Sequence, residues 1–178
     1  MTGRAPEEER FVALMRELGD PVRRYVVRRA PADLVDDVVS EVFLVVWRRL
    51  ADVPTDDPLP WTYGVARNCL ANATRSDRRQ RAVTDKVIRL DPPRTADSEA
   101  DPDHAELHAA LAQLSDLDRE LVALWAWEEL APRQIAESLG MTPNAVSIRL
   151  TRAKQKLAEL LRKNAAASGQ IPGEGRGR

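Results

Sequence analysis

Residues 90–103, LDPPRTADSEADPD, contain three prolines, five acidic side chains and almost nothing apolar. Such a stretch cannot bury enough surface to offset the entropy of ordering its backbone, so it reads as a flexible linker. It interrupts any single continuous core and divides the 178 residues in two. The expected organisation is an N-terminal domain over 1–81, an acidic linker over 82–102 and a C-terminal domain over 103–163. A small, Gly-rich tail over 164–178 is expected to be disordered.

Charge follows the same division. The formal net charge is only -1, but it is unevenly spread. Residues 60–81 hold five arginines and one acid, residues 132–163 hold seven basic and two acidic side chains, and residues 82–106 between them hold three basic and seven acidic ones. Two basic modules joined by an acidic strap point to an anionic partner such as nucleic acid. No apolar run approaches the roughly 20 residues that span a bilayer, so no membrane insertion is expected. The opening MTGRAPEEER has no apolar h-region, which reads as a chain without a targeting peptide and with a cytoplasmic location. The lone Cys69 leaves no internal disulfide and no cysteine-cluster metal site.

Both domains carry a helical period, so the expected fold is all-α. Residues 7–18 predict a first helix, with Gly19-Asp20-Pro21 stopping it and starting the next. Leu34, Val35, Val38, Val39, Val42, Phe43, Val46, Trp47 and Leu50 recur at i, i+3, i+4 spacing, a strong helical signal. A proline-rich loop over 52–60 precedes a helix over about 60–79. In the C-terminal domain, Ser115-x-x-Asp118 resembles a capping box with Asp in place of Glu. Pro132 starts a short helix, Gly140 ends it, and Thr142 caps a last helix beginning at Pro143.

A short helix, a Gly turn and a basic amphipathic helix over 132–156, PRQIAESLGMTPNAVSIRLTRAKQK, make a helix-turn-helix, whose second helix enters a major groove. At about 100° per residue, Val146, Leu150, Ala153 and Leu157 share a packing face. Asn144, Ile148, Thr151, Arg152 and Gln155 share the opposite face, where base edges lie, with Ser147 beside them. Arg149, Lys154 and Lys156 flank that face and suit phosphates, the main source of affinity. Ile148 suits a thymine methyl, although an isolated surface hydrophobe needs no such explanation.

Two further helices carry patterns of their own. On the helix over 60–79, Gly64, Arg67, Asn68, Ala71, Arg75 and Arg78 share one side, where small residues between cations admit a phosphate backbone. Trp61, at its start beside the loop, is placed to stack on an unpaired base. On the helix over 34–50, Leu44 falls on the polar face among Asp37, Ser40, Glu41 and Arg48. An apolar residue ringed by acids suggests a docking site for a basic partner helix.

Three segments in order, DLVDDVVSEVFLVVWRRL (33–50), PLPWTYGVARNCLAN (58–72) and the helix-turn-helix, resemble a bacterial RNA polymerase sigma factor of the small two-domain extracytoplasmic-function group in the sigma-70 family. The resemblance implies two small helical domains, the second of the winged-helix-like DNA-binding superfamily. It implies docking on the clamp helices of the polymerase β' subunit through Asp36, Asp37, Glu41, Leu44, Trp47 and Arg48, and a contact with the β flap. The loop 52–59 with Trp61, Gly64, Arg67, Asn68, Asn72, Arg75 and Arg78 would melt and read the -10 element of promoter DNA, capturing a flipped base. Asn144, Ser147, Ile148, Arg149, Thr151, Arg152, Lys154 and Gln155 would read the -35 element as duplex. The family also implies an anti-sigma factor as a further partner. Ser147 and Ile148 stand where many relatives carry a basic or small polar residue, so no -35 preference carries over.

The residues do not suggest an enzyme. There is no Gly-rich phosphate loop, and neither a cofactor nor a metal is expected. His104 and His108 stand i, i+4 but lack an evident third ligand, and Cys69 reads as a core residue. The rival reading is a stand-alone helix-turn-helix regulator binding duplex DNA without polymerase. Such proteins usually act as symmetric dimers, whereas this chain has no heptad seam and is expected to be monomeric when free.

Overall fold

The computed structural model describes residues 4–87 and 102–167. All its regular elements are helical, as expected, and they form two subdomains. The N-terminal one comprises α1 (Arg4–Val27), α2 (Val35–Arg48) and α3 (Pro58–Val87), with short 3-10 turns at Ala32–Leu34 and Leu50–Asp52. The C-terminal one comprises α4 (Pro102–Ala112), α5 (Asp116–Ala126), α6 (Pro132–Leu139) and α7 (Pro143–Ala167).

Helix α1 corrects the expected break at Gly19-Asp20-Pro21, since it runs unbroken through Pro21. An interior proline deletes one backbone hydrogen bond and costs about 3 kcal/mol. Burial outweighs that: Leu14, Leu18, Val22, Tyr25 and Val26 continue one buried stripe across the proline, and each large aliphatic contributes about 1.5–3 kcal/mol. Against this stripe pack Val35, Val38, Val42, Phe43 and Val46 of α2 and Val65, Ala66, Cys69 and Leu70 of α3. The α2 period is therefore the core face that its spacing predicted. Burial pushes the Cys69 thiol up to about 11, as befits a packed side chain.

Helix α3 starts two residues earlier than expected, at Pro58, because Pro58 and Pro60 fit a first turn whose N–H groups need no partner. The Thr62 hydroxyl, fully buried, donates to the Pro58 carbonyl at 2.8 Å. Arg10 of α1 ties down the preceding segment, donating to the carbonyls of Leu50 at 2.9 Å and Val53 at 2.7 Å. Helix α3 continues past residue 81 to Val87, and α7 continues past 163 to Ala167. Both helices thus extend into the segments expected to be linker and tail. The remainder of those two segments, 88–101 and 168–178, lies outside the described residues.

The C-terminal caps are as the sequence indicates. Ser115 Oγ accepts from the Asp118 amide at 3.2 Å, Gly140 adopts a left-handed φ of 64°, and Thr142 Oγ1 accepts from the Ala145 amide at 3.2 Å. Helix α6 gains a further tie where the Ala131 amide donates to Gln134 Oε1 at 2.9 Å. The two subdomains also touch each other. Helix α6 lies on the start of α3, and the end of α1 meets α5.

Candidate nucleic-acid interface

Helix α7 buries Val146, Leu150 and Ala153 and turns Asn144, Ser147, Ile148, Thr151, Arg152 and Gln155 to solvent. Ile148 is 47% exposed, so an apolar atom set stands ready amid polar neighbours. The hydroxyls of Ser147 and Thr151 donate to carbonyls four residues back, each at 2.9 Å, which fixes both side chains against the helix. Lys154 and Arg149 sit differently from the free flanking cations of the sequence reading. Lys154 Nζ lies 4.1 Å from the centre of the Trp125 ring. Arg149 Nε donates to Asp118 Oδ1 at 2.7 Å, a strut from α7 to the start of α5. Burial raises the Asp118 carboxyl, but hydrogen bonds from Ser115 and Arg149 and the positive charges nearby outweigh it, holding it below the usual range.

On α3 the expected polar side is real but divided. Arg67, Asn68, Asn72, Arg75 and Arg78 are exposed. Arg67, Arg75 and Arg78 line a cleft of about 840 Å³ between the two subdomains, opposite Trp125 and Trp127. Asn68 and Asn72 open instead onto a shallow depression beside Asp37, Glu41 and Arg49 of α2. Trp61 is half-buried, with the Arg49 guanidinium 5.3 Å from its ring centre. Gly64 faces α6, where an added Cβ would come within 3.0 Å of the Ser138 carbonyl oxygen.

Helix α2 presents a ridge of Asp37, Ser40, Glu41, Leu44 and Arg48, all exposed. Asp36 is drawn aside to Arg23 of α1 at 2.7 Å. Beside the ridge runs an apolar groove of about 800 Å³ between α1 and α2, whose walls include Phe11, Val12, Met15, Leu44 and Trp47. Phe11 and Trp47 meet edge to face, with ring centres 5.1 Å apart. The α1 wall is absent from the sequence reading. Its signal was an excess of apolar residues over what one core face needs: Val12 and Met15 are each 43% exposed.

Among the described residues no group of three ligating side chains gathers. His108 is exposed, and the His104 side chain lies outside the described residues.

Residues 14–80 match Sigma-70 region 2, and residues 104–157 match Sigma-70, region 4. The chain is 32% identical over 130 residues to the RNA polymerase sigma factor CarQ of Myxococcus xanthus, covering 72% of this chain and 75% of that one. The chain belongs to the sigma-70 family.

It is a sigma factor of the extracytoplasmic-function group, a class that joins core RNA polymerase, directs it to promoters and leaves the chemistry to it. It is also 32% identical over 149 residues to the probable RNA polymerase sigma factor RfaY of Xanthomonas campestris pv. campestris, a match taking in 78% of this chain but only 37% of that one. Among solved structures, CnrH in complex with the cytosolic domain of CnrY has a TM-score of 0.60 at 25% identity, covering 86% of this sigma factor and 88% of CnrH.

That complex corrects the expectation of a plainly cytoplasmic protein. CnrH is held by a partner of which only one domain is called cytosolic, so a simple compartment label does not describe such a factor. Among the described residues of this chain, no helix is long and apolar enough to cross a membrane.

Proposed function

We propose that the N-terminal subdomain docks on the β' clamp helices of polymerase and reads the melted -10 element, while α7 reads the -35 element as duplex. The docking reading rests on the α2 ridge. Leu44 is 45% exposed beside an apolar groove, and Asp37 and Glu41 stand next to it to meet basic residues of a partner coiled coil. Its apolar centre and charged rim suit a helix laid across α2.

At the other end of the subdomain, Trp61 supplies a face for a flipped base, and Arg67, Arg75 and Arg78 supply charge for the strand that carries it. On α7, Arg152 and Gln155 supply base-edge hydrogen bonds and Ile148 an apolar contact. Lys154 reaches phosphate from its place over Trp125, whereas Arg149 acts chiefly as a strut. The C-terminal subdomain would also contact the β flap. An anti-sigma factor, such as the NepR that is bound to the sigma factor RpoE from Bartonella quintana, would compete for the α1–α2 groove.

The observation that carries this reading is the one-sided build of α7, apolar inward and polar outward over the same turns. Pull-down with bacterial core polymerase followed by run-off transcription on promoter fragments tests it. New discrete transcripts are expected. Tight duplex binding by the chain alone, with no polymerase binding, would favour the stand-alone regulator.

A further inference from the structure

Helix α7 carries four cations over residues 144–156, and they are not equivalent. At about 100° per residue, Arg152 lies on the solvent face, and Arg149 and Lys156 stand beyond its Arg152 edge. Lys154 alone borders the other edge, about 60° round from Thr151 on the side of Ser147. A helix lying in a major groove is flanked by a phosphate backbone on each side. The backbone on the Ser147 side therefore has one cation of this segment to meet.

That cation is also held in its own way. Arg149 is engaged by a carboxylate, Asp118 Oδ1 at 2.7 Å, which offsets its charge and would have to be released before a phosphate could take its place. Lys154 meets a ring instead, with its Nζ 4.1 Å from the centre of Trp125. A π face attracts an ammonium through its quadrupole but carries no net charge. The positive charge of Lys154 therefore stays whole, and the N–H groups turned away from the ring remain able to donate. A loose lysine loses much rotamer freedom on meeting a phosphate, whereas one already laid on a ring has less to lose. Trp125 is 43% exposed in the last turn of α5, so its ring is open to the charge above it.

We propose that Trp125 is a positioning residue for promoter binding: it holds Lys154, with its charge intact, toward the phosphates on the Ser147 side of α7. With α7 as the -35 reader, on which this rests, a residue of α5 outside the helix-turn-helix sets part of the affinity for duplex. Trp127 supplies an internal contrast. It is 41% exposed just beyond the same helix, but its cation is Arg28 of α1, at 6.0 Å from the ring centre.

The test is the affinity of reconstituted holoenzyme for a promoter duplex recovered by run-off transcription, titrated over a range of salt. Lys154→Gln should lower the slope of log affinity against log salt by about 0.9, the share of one phosphate contact. Trp125→Leu should weaken binding by about threefold and change nothing further in the Lys154→Gln background. Trp127→Leu should stay close to wild type. Fluorinated tryptophans placed at position 125 keep the shape of the ring while draining its π face, so affinity should fall in step with the number of fluorines. This series is independent of any folding defect in Trp125→Leu. Affinity indifferent to fluorination, or the same loss with and without Lys154, overturns the role of Trp125 while α7 remains the -35 reader. A salt slope unchanged in Lys154→Gln overturns it by removing the phosphate contact. If Arg152→Ala also leaves binding unchanged, the reading of α7 itself falls.

Discussion

Helix α7 turns Asn144, Ile148, Thr151, Arg152 and Gln155 to solvent, whereas the start of α3 holds Trp61 half-buried beside Arg49 and Gly64 against Ser138. Both helices begin at a proline, and both set arginines on a face opposite their packing side. They differ in how far their first turns are buried. A duplex offers its major groove ready-made, so a surface that reads it can stand open at all times. A base read outside the stack exists only after melting, and a stacking platform left open would bind any single strand with little discrimination. On the proposed assignment, the partly buried start of α3 and the open face of α7 fit the order in which a promoter supplies its two elements.

Five substitutions test this contrast. The largest effect is expected from Leu44→Asp, which removes the proposed polymerase contact on which both surfaces would depend. Affinity for core polymerase should fall by about tenfold or more, since a central interface anchor is worth about 2 kcal/mol, while the melting temperature holds because Leu44 is exposed. A binding titration within twofold of wild type would place the docking face elsewhere.

Trp61→Ala should reduce promoter melting, read by permanganate reactivity, by about tenfold through the loss of about 1–3 kcal/mol of stacking. Duplex binding at the -35 element should be untouched. Arg152→Ala should do the reverse, weakening duplex binding about tenfold by loss of a base contact with melting lowered only in proportion.

Arg149→Ala is expected to lie between structure and recognition. The Arg149–Asp118 pair is part-exposed and worth about 0.5–1 kcal/mol, so unfolding of the C-terminal subdomain should shift by a few degrees. Duplex affinity should fall less than in Arg152→Ala. Equal losses in the two variants would make Arg149 a DNA contact after all. The smallest effect concerns pH. The Asp118 carboxyl is held below its ordinary value, so its contribution to stability is complete above the unfolded pKa of about 3.9 and is lost as pH falls through the lower folded value. Asp118→Asn should therefore flatten the acid limb of a stability profile and leave neutral-pH DNA binding nearly unchanged.

What was legible in the sequence follows from range. The caps at Ser115, Gly140 and Thr142 and the two faces of α7 depend on residues three or four apart, and the α2 core stripe likewise. Local propensity predicts a helix break at Pro21, while the stripe from Leu14 to Val26 that overrides it gains its energy from α2 and α3. Arg149 and Arg152 look alike in sequence, and only the position of Asp118, 31 residues away, separates the strut from the proposed reader. The ion-paired contact between α1 and α5 was further out of reach, since Arg29 meets Glu120 and Glu128 across 91 and 99 residues. No periodicity announces a pairing at that distance.

The most direct measurement is site-specific photocrosslinking to promoter DNA within the polymerase complex, with a benzophenone amino acid placed at Trp61 or at Gln155. Position 61 should crosslink the single-stranded non-template strand of the -10 element, and position 155 the duplex about 25 base pairs upstream, the span set by the element names at 3.4 Å per pair. Crosslinks from both positions to one element, or none from position 61 to the melted strand, would contradict the division of labour between α3 and α7.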